Sequence, residues 1–214
     1  MKPKIESRMV KARRQAVGLS LAVISLLLPA CSLPEIQQAQ PDTTRYYVMG
    51  EPGAPIPEAG PSTPVLALRE VRVPAYLMNR SMAVRQGENE LKFIADARWA
   101  EPLESGITRL LGERLTARTR VMINPASAAP HDYDVRVKVL NCEGTASGGT
   151  GGIRFAAEIE VKSAGPDAAI VSSRTFAAQN VTWDGRDYAQ LANLLSGAVV
   201  ELADAVLAAL PEKK

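Results

Sequence analysis

The chain has few of the side chains that most often build catalytic and metal sites. Its 214 residues include one histidine and two cysteines. The lone His131 lies in Ala-Ala-Pro-His-Asp, without a second histidine or a Cys, Asp or Glu cluster at ligand spacing, so no metal ion is expected there. A Ser-His-acid triad would also need His131, and the chain has no Gly-x-Ser-x-Gly motif. We therefore expect neither an enzyme nor a bound cofactor.

The two cysteines, Cys31 and Cys142, exclude a framework of several disulfides. Cys31 is the predicted site of a covalent modification, as described below, which leaves Cys142 without a disulfide partner. Cys142 ends an alternating apolar pattern near its buried side, where a thiol serves more often as a small core residue than as a nucleophile. The fold must therefore be stabilised by a packed core.

A glycine-rich run at residues 144–152 lacks the Lys-Ser/Thr pair of a phosphate-binding P-loop. It also precedes a predicted strand, whereas a loop that cradles phosphate precedes a helix. The run therefore predicts a flexible hairpin loop and not a nucleotide site.

The uncharged apolar run at residues 16–28 is too short to cross a bilayer. As a helix it reaches roughly 20 Å, whereas a bilayer core is about 30 Å thick. The 14 residues at the start of the chain hold six Lys or Arg residues against one acid, Glu6. A basic segment followed by a short apolar segment is typical of an export signal peptide.

The next residues, Leu28-Pro29-Ala30-Cys31, resemble a lipobox, with an aliphatic residue three places before the cysteine and a small residue directly before it. We predict a signal peptide at residues 1–30 and a covalent lipid on Cys31. Pro29 departs from the small residue usual at its position. An uncleaved anchor and an ordinary secretion signal with an unmodified Cys31 are the alternatives. Ser32 stands where Asp, by the sorting rule known for such lipoproteins, would favour the inner membrane, so we predict the periplasmic face of the outer membrane.

Removal of residues 1–30 changes the formal net charge from +2 to −3, because that segment holds six basic residues and one acid. A nucleic-acid-binding function is therefore not supported. Residues 31–44 predict a lipidated tether, and residues 50–64 predict a loop. Residues 45–211 then form one domain with a core of useful size, and residues 212–214 form a short tail.

Apolar alternation predicts several strands. Residues 66–73 alternate with one slip at Glu70, which indicates a bulge. Residues 81–85 and 90–94 flank Gln-Gly-Glu-Asn and predict a hairpin. A meander of three antiparallel strands is predicted from residues 133–140, 153–162 and 169–178.

Two segments show the helical spacing of apolar residues. The first runs from Pro102, at its first position, to about Arg118, and the second runs from a cap at Asp184 or Asp187 to about Leu210. The first helix has one apolar face, made of Leu103, Ile107, Leu110, Leu111 and Leu115. Together the segments predict an α+β domain in which two main helices pack on a mostly antiparallel sheet.

The second helix also has few charged residues on the face opposite its main apolar face. This face carries Ala189, Ala192, Leu194, Gly197, Ala203 and Ala208. Either the helix is buried on both sides or it packs against another subunit. The second alternative predicts a homo-oligomer.

The segment Arg98-Trp99-Ala100-Glu101-Pro102 leads into the first helix. Trp99 can fill the core, which we favour, or can be an interface residue exposed to a partner. Glu101 can stabilise the positive end of the helix, and Arg98 can reach a carboxylate, which would make the segment a helix-start motif. Both roles stay open for these residues, Pro102 included.

Four segments, in this order, resemble the ABC-type transport auxiliary lipoprotein family. They are Tyr46-Tyr47-Val48, Val-Pro-Ala-Tyr-Leu-Met-Asn-Arg at 73–80, Arg-Trp-Ala-Glu-Pro-Leu at 98–103, and Trp-Asp-Gly-Arg-Asp-Tyr at 183–188. The resemblance covers about residues 45–210, and its most specific part is the segment at 98–103.

The resemblance implies a non-catalytic accessory subunit of an MCE-type system that moves lipids or other apolar molecules between membranes. The implied partners are a periplasmic MCE-domain tunnel protein and an ABC permease and ATPase in the inner membrane. A periplasmic lipid-binding lipoprotein is the alternative of a different class. An assembly or scaffold lipoprotein of the outer membrane is a third reading.

Overall fold

The computed structural model describes residues 41–50, 63–125, 129–147 and 150–211. The predicted signal peptide, the lipidation site Cys31, most of the tether, most of the loop at 50–64 and the tail lie outside the described residues. So do Gly148 and Gly149 of the glycine-rich run. The fold below belongs to the compact unit Thr43–Lys214.

Nine strands of the described chain form one mixed sheet. In chain order they are β1 (Arg45–Tyr47), β2 (Val65–Arg72), β3 (Ser81–Arg85), β4 (Leu91–Trp99), β5 (Arg120–Ile123), β6 (Tyr133–Ser147), β7 (Thr150–Ser163), β8 (Ile170–Ala177) and β9 (Thr182–Trp183). A 3-10 turn, Ala75–Leu77, lies between β2 and β3. The two helices are α1 (Leu103–Thr116) and α2 (Tyr188–Ala208).

Strand β6 lies at the centre of the sheet. On one side its first half pairs in parallel with β2, and its second half pairs in parallel with β3. This side has the order β1-β4-β3-β6-β2-β5. On the other side β6 forms a long antiparallel hairpin with β7, which also pairs with β8 and β9. Most paired residues are in antiparallel ladders, so the predicted α+β fold with a mostly antiparallel sheet is confirmed.

The predicted strands occur where the alternation placed them. The register of β2 against β6 shifts between Leu68 and Glu70, at the predicted slip. The β3–β4 hairpin is antiparallel, and β4 continues to Trp99, beyond the predicted end. Strands β1 and β5 were not predicted as strands, because three and four residues are too few to show a period of two.

The glycine-rich run is mostly strand, so the predicted loop at residues 144–152 is wrong outside its undescribed tip. Strands β6 and β7 extend through it, and Thr145 pairs with Gly152. A Cβ on Gly144 would lie 2.9 Å from the ring of Trp183, and a Cβ on Gly151 would lie 2.6 Å from the Trp183 carbonyl oxygen. These glycines therefore allow close packing of β9 against the hairpin, a use of strand glycine that composition does not reveal.

Helix α1 covers part of the sheet with the predicted apolar face. Leu103, Ile107, Leu110, Leu111 and Leu115 are all buried. The helix begins at Leu103 with Pro102 at the N-cap, one residue later than predicted, and it ends at Thr116, before Arg118. Proline suits this place because its missing N–H would have no partner inside the helix.

Helix α2 begins as predicted, and Asp187 is the residue that caps it. The Asp187 carboxylate accepts hydrogen bonds from the N–H groups of Ala189 and Gln190. Asp184 instead accepts from the N–H groups of Arg186 and Asp187 in the turn before the helix. The α2 helix is long and apolar enough to cross a membrane, but half of its most apolar window is buried in the fold.

The charge-poor face of α2 is partly a core face. Ala192 and Ala203, predicted on the exposed side, are 4% and 2% exposed because α2 packs against α1 as well as against β6 and β7. Ala189, Gly197 and Ala208 are exposed as predicted. Burial on two sides therefore explains the small residues at 192 and 203 and leaves the three exposed positions unexplained. The homo-oligomer stays a prediction.

The sheet face of β6 and β7 opposite the helices is charged. Lys138 lies 3.1 Å from Glu158, and Arg136 lies 3.5 Å from Glu160, all on exposed or half-buried side chains. Pairs of this kind contribute about 0–1 kcal/mol because water screens them. This face is therefore a solvated surface and not a second core.

Candidate functional site

Segments that are far apart in sequence meet around the end of β4. Tyr47 of β1 pairs with Trp99 of β4. The Trp99 N–H donates to the Arg80 carbonyl oxygen at 2.7 Å, and the Ala100 N–H donates to the Tyr47 carbonyl oxygen at 2.8 Å. The segments at 46–48, 73–80 and 98–103 are thus joined by backbone hydrogen bonds into one junction.

The residues of the predicted helix-start motif take separate places at this junction. Trp99 is 4% exposed and belongs to the core. The Arg98 side chain is exposed and its Nε donates to the Ala95 carbonyl oxygen at 3.2 Å. Within the described chain Arg98 therefore contacts a carbonyl group and not the predicted carboxylate, because the acid of the motif, Glu101, is held by another arginine.

Glu101 forms an ion pair with Arg109, which lies eight residues further along the chain in α1. Arg109 Nη2 lies 2.6 Å from Glu101 Oε1 and donates to the Met49 carbonyl oxygen at 2.8 Å. Arg109 Nη1 also reaches Glu113, at 3.3 Å. The hydrogen bond from Glu101 raises the pKa of Arg109, so the guanidinium stays charged. This cluster fixes the start of α1 against the chain that leaves β1.

A second polar cluster lies behind the segment at 73–80. Glu143 of β6 is fully buried and forms an ion pair with Arg85 of β3. The Tyr76 hydroxyl donates to Glu143 Oε2 at 2.9 Å, and burial raises the pKa of that hydroxyl. Sequence analysis did not identify this cluster, since Tyr76 and Glu143 are 67 positions apart. The cluster ties the 3-10 turn and β3 to the central strand.

The junction borders a cleft of about 610 Å³. Its lining comes from the end of the predicted tether, from β1, from β4 and from the segment that opens α2: Thr43, Arg45, Tyr47, Asp96, Asp184, Arg186, Asp187 and Tyr188. The segment at 183–188 thereby joins the other three around the end of β4. Of the residues in this lining, Thr43, Arg45 and Asp96 lie outside the four segments and were not identified from the sequence.

A β-bulge explains why Asp96 faces this cleft. Ser81 pairs with Arg98, but Ala83 pairs with Phe93, so β4 carries extra residues between its two registers against β3. Bulges of this kind redirect side chains. Burial raises the pKa of the Tyr188 hydroxyl, and the Asp96 carboxylate raises it further. Backbone N–H groups of Asp187 and Arg186 hold the pKa of Asp184 below its usual value.

The cleft offers groups suited to binding polar ligands. It contains three carboxylates, two guanidinium groups and two phenol rings, and it has no cysteine or histidine. In the described part of the chain, no group of three or more His, Cys, Asp or Glu side chains is placed to hold a metal ion. Salt bridges and hydrogen bonds to either charge are the interactions that this lining can make.

His131 and Cys142 lie away from the cleft lining. His131 Nδ1 is 2.7 Å from the Ala129 carbonyl oxygen, and its Nε2 is 3.0 Å from Asp134 Oδ1. The imidazole ring therefore stabilises the loop that leads into β6. Cys142 is 2% exposed, and burial raises the pKa of its thiol far above the usual range, which keeps it protonated.

Comparison with known proteins gives a consistent result. A family model described as ABC-type transport auxiliary lipoprotein component matches residues 47–207. No curated protein sequence matches the chain. The crystal structure of protein XCC0632 from Xanthomonas campestris is similar with a TM-score of 0.55 and 18% identity, over 76% of this chain and 92% of that one. A crystal structure of an uncharacterized protein gives a TM-score of 0.59 and 16% identity, over 76% and 95%. These structures have the same fold.

Proposed function

The chain belongs to the family of ABC-type transport auxiliary lipoprotein components, and on this premise we propose that it is a non-catalytic accessory subunit of an MCE-type transport system. The family makes it a lipoprotein of the cell envelope that serves a transport system. The proposal adds that its partners are an MCE-domain tunnel protein and an ABC permease and ATPase, and that the cargo is lipid or another apolar molecule. The observation that carries it is the family match over residues 47–207.

The proposal includes anchoring at the outer membrane through acyl chains on Cys31. The lipobox residues 28–31 and Ser32 support it. Each buried methylene of an acyl chain contributes about 0.8 kcal/mol to membrane binding, and several chains act together. Residues 32–44 reach at most about 45 Å when extended, so the domain stays near the membrane that holds the lipid.

A docking role fits the site better than a catalytic one. Three of the four segments are joined by backbone hydrogen bonds, by the buried Glu143 pair and by the half-buried Glu101 pair, and the fourth lines the same cleft. The cleft beside them presents charges of both signs without a nucleophile and base in contact. Rigid presentation of charged groups is what recognition of a partner requires.

A lipid-binding domain would need a contiguous apolar cavity. Two clefts of the described chain, one beside the junction and one on the outer face of the sheet, are instead lined mainly by charged and polar side chains. The described structure therefore gives the accessory-subunit proposal more support than the lipid-binding alternative.

The test is purification of the acylated protein from membranes in mild detergent, followed by mass spectrometry of its proteins and lipids. We expect the tunnel protein or the permease in the eluate, together with an oligomeric native mass. A variant with Asp96→Asn and Arg186→Gln should lose the partner, whereas Glu158→Gln on the opposite sheet face should keep it. A monomer that carries stoichiometric phospholipid and no transporter would contradict the proposal, and a cell-wall or barrel-assembly partner would indicate a scaffold.

A further inference from the structure

The end of the sheet that receives the tether exposes large apolar side chains. Tyr46, Val48 and Met78 are 57%, 41% and 67% exposed. Two exposed arginines, Arg80 and Arg98, accompany them. We call these five residues the anchor-side patch. A cluster of apolar groups of this size on the surface of a soluble domain commonly marks a binding surface.

The patch is continuous across three chain segments. Tyr46 pairs with Arg98 between β1 and β4, and Arg98 pairs with Ser81 between β4 and β3. Paired residues of neighbouring strands point to the same face of a sheet, so Tyr46 and Arg98 are side by side. Arg80 precedes Ser81, and its Nη1 donates to the Ala100 carbonyl oxygen at 3.3 Å. Arg80 therefore lies next in the chain to the residue that pairs with Arg98, and Met78 is two residues before Arg80.

The charge of the patch is positive, and its two arginines form no ion pair among the described residues. Arg80 and Arg98 donate to backbone carbonyl oxygens and form no ion pair in the described chain. Of the two nearest acids in sequence, Asp96 lines the neighbouring cleft and Glu101 is paired with Arg109. Guanidinium groups bind phosphate oxygens in a two-pronged geometry, so both arginines keep their capacity for phosphate.

The tether brings this patch to a lipid surface. Residue 45 begins β1, and the predicted acylated residue is Cys31. A flexible chain of this length has a root-mean-square span of roughly 20 Å, which keeps the patch at a high effective concentration near the headgroups. Tyrosine beside arginine is also the combination found where proteins meet the membrane–water boundary.

We propose that the anchor-side patch rests on the phospholipid headgroups of the membrane that holds the acyl chains. Arg80 and Arg98 bind lipid phosphates, and Tyr46 and Met78 insert at the boundary between headgroups and acyl chains. The contact would give the tethered domain one fixed orientation. The inference rests on the proposed acylation of Cys31. A second copy of the chain is a poorer occupant, because a symmetric contact would bring like charges together.

The test uses the full acylated protein in vesicles of phosphatidylethanolamine and phosphatidylglycerol. Cys31 is acylated and Cys142 is buried, so one added surface cysteine can be labelled alone with an environment-sensitive fluorophore. The label is placed at Met78→Cys in the patch or at Ile170→Cys on the far edge strand β8, where Ile170 is 60% exposed. We expect lipids that carry a quencher at headgroup depth to reduce the Met78 signal roughly twofold and to leave the Ile170 signal unchanged.

Charge reversal provides the specific control. Arg80→Glu with Arg98→Glu should remove the quenching at Met78, while the protein still floats with the vesicles through its acyl chains. Tyr46→Ser should reduce the quenching without a change in net charge. All three positions are exposed, so circular dichroism should show an unchanged fold.

Two results would overturn the inference while leaving the proposed anchoring intact: floating protein with no quenching at Met78, or equal quenching at both positions. A change in the fluorescence of the label at position 78 that occurs only when the transporter is added would assign the patch to a protein partner. That result would also overturn the inference. Protein that fails to float at all would contradict the acylation as well.

Discussion

At the scale of single residues, the polar groups inside the core are the least expected part of this molecule. Glu143 has no exposed side-chain surface and is held by Arg85 and Tyr76. A buried carboxylate is tolerated only with partners that replace water. The three side chains therefore form one unit, and the loss of one should affect the other two.

We expect Glu143→Gln to lower the free energy of unfolding by about 2 kcal/mol, because a charged hydrogen-bond partner of Arg85 is lost. Glu158→Gln removes one partner of an exposed ion pair with Lys138 and should cost at most about 0.5 kcal/mol. Urea denaturation of both variants measures the difference. Equal losses would show that Glu143 is not held as the geometry indicates.

The burial of Cys142 predicts a chemical and a pH effect. Because desolvation raises the pKa of this thiol, iodoacetamide should leave it unmodified in the folded protein at pH 8 and should modify it in urea. The unfolded chain releases the thiol proton near pH 8.5 and the folded chain does not, so the free energy of unfolding should fall as pH rises above about 8.5. Cys142→Ala should remove that part of the pH dependence, and rapid labelling of the folded protein would contradict the burial.

At the scale of secondary structure elements, the glycines differ in whether the surrounding structure leaves room for a Cβ atom. Gly144 in β6 faces the buried Trp183 and Leu191, with no room for a Cβ. Gly197 in α2 is exposed, and nothing lies within 4 Å of its Cβ position. The same substitution should therefore have opposite effects at the two sites.

Gly144→Ala should destabilise the protein by about 1–3 kcal/mol, because a methyl group would force buried side chains apart. Gly197→Ala should stabilise it by about 1 kcal/mol, because alanine favours the helix. Thermal unfolding of both variants gives the sign directly. A stabilised Gly144→Ala protein would mean that β9 does not pack on the hairpin as described.

At the scale of the whole molecule, the anchor and the domain make separate predictions. Cys31→Ala should abolish labelling with palmitate and release the protein from membranes. Ser32→Asp should keep the label but move the protein to the inner-membrane fraction, according to the sorting rule. Density fractionation of cell envelopes measures both. An unlabelled wild-type protein would contradict lipidation, and a Ser32→Asp protein that stays in the outer membrane would contradict the sorting prediction.

Local sequence pattern predicted most elements of this fold and few of their long-range relations. The apolar face of α1, the slip at Glu70 and the Asp187 cap were all readable because each depends on neighbouring residues. The parallel pairing of β6 with β2 and β3 was not predicted, since no local pattern specifies which distant strands pair. The place of Asp96 in the cleft was also not predicted, because it depends on a bulge in the pairing of β4 with β3. The ion pair of Glu101 with Arg109 was missed because no local pattern shows which arginine a carboxylate will contact.

The position of β6 has a consequence for how the chain folds. Strands β2 and β3 do not pair with each other, and among the described strands β6 is the one that joins the β1-β4-β3 group to the β2-β5 group. A chain that has been synthesised or exported only as far as residue 132 can therefore close neither group onto the other. Pairings between such distant segments are slow to form, because the loop that they close is long. The two strand groups formed before residue 133 must therefore remain undocked until the β6–β7 hairpin is made, and their unpaired strand edges are the part of the chain most open to aggregation at that stage.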